Sequence, residues 1–131
     1  MADFRLPADD LEYAVLAALW DLRAASVRAL HERVGVPAGH VYTTTAKVVD
    51  RLRDKGLVTR RREDGAFVYR PAAERGAVER ARARHLAHRF LGPGPQAAVA
   101  ALVEAVDELD PGLLAELERA IRSKRRAGHG T

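Results

Sequence analysis

Cysteine is absent from the 131 residues, which excludes disulfides, zinc fingers, thiolate copper sites and cysteine redox switches. Aromatic residues make up only 5% of the chain, so its core must be built mainly from Leu, Val and Ala. No apolar run approaches the roughly 20 residues that would cross a bilayer. The opening stretch Met1 to Pro7 lacks a basic region followed by an apolar one, so it does not read as a signal peptide, and a cytoplasmic location is expected. A glycine-rich phosphate loop is also missing, since Gly92-Pro93-Gly94-Pro95 reads as a hinge. No Ser/His/Asp arrangement has positional support. Neither an enzyme nor a cofactor is therefore expected.

What is present is charge and helix-forming residues. Lys and Arg outnumber Asp and Glu by 22 to 18, a formal net charge of +4. Such a balance suits a polyanionic partner, and it equally suits an ordinary basic protein. Its distribution says more. Acids gather near the start, at Asp3, Asp9, Asp10 and Glu12, while arginines gather in the middle and at the end. The length fits one compact domain, or a small domain with an appended dimerisation segment. Small units bury little surface, and a core shared between two chains would relieve that shortage.

Helical spacing begins at about Ala8 and continues to Leu22 through Leu11, Val15, Leu16, Leu19 and Trp20, with Asp9 or Asp10 as N-cap. Ser26 is placed to cap a second helix with Val27, Leu30 and Val34 inward. Gly35 stands where a helix end favours a left-handed residue, and Pro37 prevents resumption. A third helix spans about His40 to Lys55, with Val41, Thr44 or Thr45, Val48 and Leu52 as its inner stripe, and Gly56 closes it. The period then changes from 3.6 to 2. Leu57 to Arg62 reads as a strand, Glu63-Asp64-Gly65 as a turn, and Phe67 to Arg70 as the returning strand ended by Pro71. Helix, helix, turn, helix and hairpin in that order describe a winged helix-turn-helix. Ala72 to Leu91 forms a long arginine-rich helix, Ala98 to Leu109 a short apolar stripe, and Asp110-Pro111 opens a last helix carrying Leu113, Leu114, Leu117 and Ile121. The expected fold is mainly α with a small β-hairpin: a winged helix over 1–71, dimerisation helices over 72–126 and a flexible basic tail over 127–131.

A recognition helix presents small or polar side chains to base edges while its back packs on the other helices. The span from Tyr42 to Arg51 meets that demand. Thr43 and Thr44 can hydrogen-bond phosphates or bases, and a threonine methyl can meet a thymine methyl. Lys47 lies one turn beyond Thr43, and Arg51 one turn further. Arg60, Arg61 and Arg62 on the outgoing strand would neutralise phosphates, with Arg60 and Arg62 on one face and Arg61 on the other. Charge there also protects an edge strand, and the two roles are compatible. Tyr42 could stack, bond a phosphate or cap the space between helices. Phe67 and Tyr69 should face inward, and Trp20 belongs to the core. His85 and His88 stand at a metal-binding spacing, but a third ligand is missing, so no metal is expected.

Leu11-Glu12-Tyr13-Ala14-Val15-Leu16 with Leu19-Trp20, Val41-Tyr42-Thr43-Thr44-Thr45, Asp50-Arg51-Leu52-Arg53-Asp54-Lys55-Gly56-Leu57-Val58 and the ending Phe67-Val68-Tyr69-Arg70-Pro71 together carry a resemblance. The chain resembles the penicillinase repressor family of the BlaI/MecI type over about residues 8 to 122. The resemblance implies a homodimeric transcriptional repressor that reads a palindromic operator in double-stranded DNA. It carries the DNA-contacting helix onto Thr43, Thr44, Ala46, Lys47 and Arg51. It also implies, as a partner, a membrane sensor-protease system that leads to cleavage of some relatives in the dimerisation region. The stretch Ala97 to Val103 lacks the Asn-Phe pair cut in staphylococcal members, and the cysteine cluster of copper-responsive relatives is absent. Thr45 and Lys47 stand where many relatives have an apolar residue and a threonine. The other reading of the same residues is a winged-helix protein-interaction module without specific DNA binding. A small-molecule pocket between the dimerisation helices has no distinctive polar lining.

Overall fold

A computed structural model describes residues 3–129. They divide into two compact units, with the boundary between Ala83 and Arg84, inside the helix Arg75–Leu91.

The first unit opens with α1, Asp10–Leu22. Its start is an Asp-x-x-Glu capping arrangement: Asp9 Oδ1 accepts from the Glu12 amide at 2.8 Å, and Glu12 Oε1 accepts from the Ala8 amide at 3.1 Å. Next comes α2, Val27–Leu30, capped by Ser26 and continuing as a π-helical turn over His31–Gly35. The third helix, α3, is Tyr42–Asp54. It stops in a Schellman arrangement, with the Gly56 amide donating to Arg53 O and the Leu57 amide to Leu52 O, both at 3.0 Å. Gly56 has φ +77°, and a side chain there would run into the carbonyl of Asp3. Leu52 and Leu57, the apolar pair of that motif, are both fully buried.

The hairpin consists of β1, Val58–Glu63, and β2, Ala66–Pro71, paired antiparallel from Val58↔Pro71 to Glu63↔Ala66. Only Asp64 and Gly65 lie between the strands, at φ +51° and +81°, as a type I′ turn requires. Ala25 and Tyr69 exchange both backbone hydrogen bonds, at 3.0 and 2.8 Å, so a single residue before α2 adds a third lane to the sheet. Periodicity could not reveal a strand one residue long.

Val15, Leu16 and Leu19 of α1 meet Leu30, then Val48, Val49 and Leu52 of α3, and finally Val58 and Tyr69 of the hairpin to form one core. The long helix α4, Arg75–Leu91, contributes Val78 to it. Trp20 packs against this core and donates Nε1–H to Ala73 O at 3.0 Å.

Two expectations need correction. Gly35 is not the left-handed cap, a role that falls to Gly39 at φ +78°. Instead Gly35 is buried where the π turn meets α3, and a Cβ there would overlap His31 and Thr45. Val41, expected inside, is 66% exposed. It is the extended residue before α3, at φ −82° and ψ 160°, so it never joins the helical stripe.

The second unit holds the end of α4, then α5, Pro95–Leu109, and α6, Pro111–His129. Asp110 Oδ1 accepts from the Gly112 amide at 2.9 Å at the start of α6. That helix runs through Ala127, Gly128 and His129, where a flexible tail was expected. The rest of that expected tail, Gly130 and Thr131, lies outside the described residues.

Candidate nucleic-acid interface

Successive residues of a helix are turned by about 100°, so residues four apart share a face. On α3 this rule separates two sides. Thr45, Val48, Val49 and Leu52 are fully buried, while Thr43, Lys47 and Arg51 are exposed in a row. Thr44 and Ala46 are half-buried along the edges of that row, and Tyr42 is exposed at its head. Lys47 makes no ion pair among the described residues. No side chain caps α3, and Val41 cannot supply one, so the first amides of the helix keep their capacity to hold an anion.

The head of α3 is held from behind. His31 Nδ1 and Thr45 Oγ1 are 2.8 Å apart, and the His31 ring meets Tyr42 edge-on at 5.6 Å. This contact is why Gly35 must be glycine, since the π turn carries His31 directly against the helix. Thr45 therefore packs and positions, leaving Thr43 and Thr44 as the accessible hydroxyls of the triplet.

Beneath the other end of the row lies Glu12, 2% exposed. Its Oε1 accepts from Lys55 Nζ at 2.5 Å, and its Oε2 faces Arg51 Nε at 3.4 Å. Sequence reasoning did not single out Glu12 as a functional residue. The Asp9-x-x-Glu12 spacing signals a helix start, but it gives no hint that the same carboxylate reaches across to α3.

On the hairpin, cross-strand partners lie on one face. Arg60 is opposite Tyr69 and Arg62 opposite Phe67, whereas Arg61 is opposite Val68 and projects the other way. The guanidinium of Arg60 lies 3.9 Å, and that of Arg62 4.8 Å, from the centre of the Phe67 ring. Tyr69 is buried as expected, while Phe67 is half-buried as the platform under those two arginines. Arg70, opposite Thr59, reaches along the hairpin so that its Nη1 pairs with Glu63 at 2.6 Å. The hydrogen bond from Arg70 holds the Glu63 carboxyl below its ordinary value, against the opposing effect of desolvation. The wing therefore spends Arg70 on its own fold and leaves Arg61 without a hydrogen bond among the described residues. Sequence alternation placed the three arginines on these faces. It did not indicate the aromatic support.

Trp20 is turned inward, meeting Tyr13 edge-on at 6.1 Å, and is no stacking platform for a base. No group of three or more His, Asp or Glu side chains among the described residues could hold a metal ion. No helix among them is long and apolar enough to cross a membrane.

An uncapped helix start with a polar and cationic row on α3, and arginines on the hairpin, are each suited to a polyanion. The family model described as penicillinase repressor matches residues 9–123. The chain belongs to the penicillinase repressor family. Membership makes it a DNA-binding transcriptional regulator of the repressor class, and not an enzyme. The transcriptional regulator BlaI of Mycobacterium tuberculosis strain H37Rv is 37% identical over 127 residues, covering 92% of this chain and 86% of its own length. BlaI of strain CDC 1551 matches equally. Among solved structures, this repressor is similar to PcaV of Streptomyces coelicolor, at 28% identity and a TM-score of 0.48 over 81% of this chain and 79% of that one. It is also similar to BpsR of Bordetella bronchiseptica, at 19% identity and a TM-score of 0.49 over 79% and 76%.

Proposed function

We propose that this protein acts as a homodimer whose two α3 helices enter successive major grooves of a palindromic operator in cytoplasmic DNA. Thr43, Thr44 and Ala46 meet base edges, Lys47 and Arg51 meet bases or phosphates, and Tyr42 lies at the backbone where the helix enters. Arg60, Arg61 and Arg62 of the wing neutralise phosphates, which gives affinity and register with little base information.

The observation that carries this reading is the exposed row of Thr43, Lys47 and Arg51 on a helix whose opposite side is fully buried. Support for the dimer comes from the second unit. Among residues 84–128 none is buried, yet Leu86, Phe90, Val99, Leu102, Leu113 and Ile121 are each exposed by more than a third. Two chains pooling these faces would make the core that one chain lacks. Control by a membrane sensor-protease system, which the family resemblance implies for some members, would act on this pairing region. A cut within α5 would sever α6, with Leu113 and Ile121, from the rest of that surface.

The test is binding to a duplex from the gene's own promoter, followed by gel shift over a range of salt. The parent should give a sequence-dependent shift that weakens steeply with salt, each phosphate contact adding about −0.9 to the log–log slope. Lys47→Ala with Arg51→Ala should lose at least about tenfold in affinity while keeping its thermal unfolding midpoint. An unchanged affinity in that double variant would remove α3 from the interface. No sequence-dependent shift of the parent at any salt would instead favour a protein-interaction module.

A further inference from the structure

We propose that Glu12 is a positioning residue for DNA recognition, holding Arg51 by its inner edge so that its outer edge is presented to a phosphate. The proposal deepens the reading of α3 given above and rests on it.

A carboxylate as buried as Glu12 requires a counter-charge, and Lys55 supplies one at 2.5 Å from a side chain only 15% exposed. The Ala8 amide satisfies the same oxygen. Glu12 and Lys55 thus neutralise each other, so the fold has no need of a second cation. Arg51 is nevertheless drawn in, with Nε 3.4 Å from Glu12 Oε2, while its side chain stays 52% exposed. Nη1 and Nη2 make no hydrogen bond among the described residues. One carboxylate and two cations leave a single net positive charge, and it is located on the exposed guanidinium.

Arginine has five N–H donors in a fixed plane, so a carboxylate paired with its Nε edge turns the remaining four outward. A free arginine must surrender rotamer freedom when it meets a phosphate. The ion pair with Glu12 restricts Arg51 before DNA arrives. The bidentate geometry that a phosphate prefers is then available from the outward Nη pair. Lysine in place of Arg51 would keep the charge but lose the fixed plane that separates an inward Nε from an outward Nη pair.

The experiment is a thermodynamic cycle on the full chain, with fluorescence anisotropy on a labelled promoter duplex. Four proteins enter it: the parent, Glu12→Gln, Arg51→Ala and the double variant, each corrected for its folded fraction by circular dichroism. Glu12→Gln should bind about tenfold more weakly, as expected for a lost charge-assisted contact. Its log–log salt slope should flatten by about 0.9, one phosphate contact. In the Arg51→Ala background the same change should have no further effect. Equal weakening in both backgrounds, or no weakening in either, overturns the proposal. If Arg51→Ala itself leaves affinity unchanged, the assignment of Arg51 to DNA fails, and Glu12 loses its role with it. Should Glu12→Gln not fold, Arg51→Lys decides: binding as weak as Arg51→Ala supports the proposal, and parental binding overturns it.

Discussion

Three consecutive threonines at the head of α3 occupy three environments. Thr43 is exposed, Thr44 is half-buried and Thr45 is sealed against His31. Sequence reasoning placed either Thr44 or Thr45 on the inner stripe, because the period alone fixes a face only to within one residue. The choice is made by Gly35, whose missing side chain lets His31 approach Thr45. Glycine is required here for close approach, since its backbone is not left-handed. Gly35→Ala should therefore destabilise the protein by about 1–3 kcal/mol, as forced overpacking does. Thermal unfolding measures it, and an unchanged midpoint would show that the π turn gives way at no cost.

At the level of elements, local signals served best where one residue type dictates one geometry. Asp64-Gly65 marked the hairpin turn, Gly56 the end of α3 and Ser26 the start of α2, while the choice left open between Asp9 and Asp10 at the start of α1 falls to Asp9. Signals failed where tertiary contact decides. Val41 is apolar yet exposed, Ala25 pairs with Tyr69 without any strand pattern, and Glu12 reaches from one helix to another. The docking of α4 on α1 belongs to this second class. Tyr13 donates its hydroxyl to Glu79 Oε1 at 2.9 Å, and Arg82 pairs with the same carboxylate at 3.0 Å while lying over the Tyr13 ring. Burial opposes ionisation of Glu79, but the hydrogen bonds from Tyr13 and Arg82 outweigh it and hold its carboxyl below the ordinary value of 4.5. A depressed carboxylate stabilises the fold at pH above the ordinary value, and that contribution is lost as pH falls through the lowered value. Glu79→Gln should thus lower the unfolding midpoint at neutral pH, and the gap from the parent should close on acidification below 4.5. A gap that is the same at both ends of that range would mean that Glu79 acts through packing alone.

For the molecule as a whole, sequence placed the winged helix, the break after α4 and the apolar stripes of α5 and α6. It could not show that the second unit has no buried residue of its own over 84–128, because burial depends on what a stripe finds to pack against. One unit carries an exposed polar and cationic row, and the other an exposed apolar surface, which the proposed homodimer would cover. The absence of cysteine offers a direct way to examine both at once. Thr43→Cys gives a single attachment point on the exposed row, to which a DNA-cleaving iron chelate can be coupled. On promoter DNA the account predicts two clusters of cuts, related by two-fold symmetry and about one helical turn, roughly 34 Å, apart. Bound DNA that remains uncut, or that is cut in a single cluster, would contradict it.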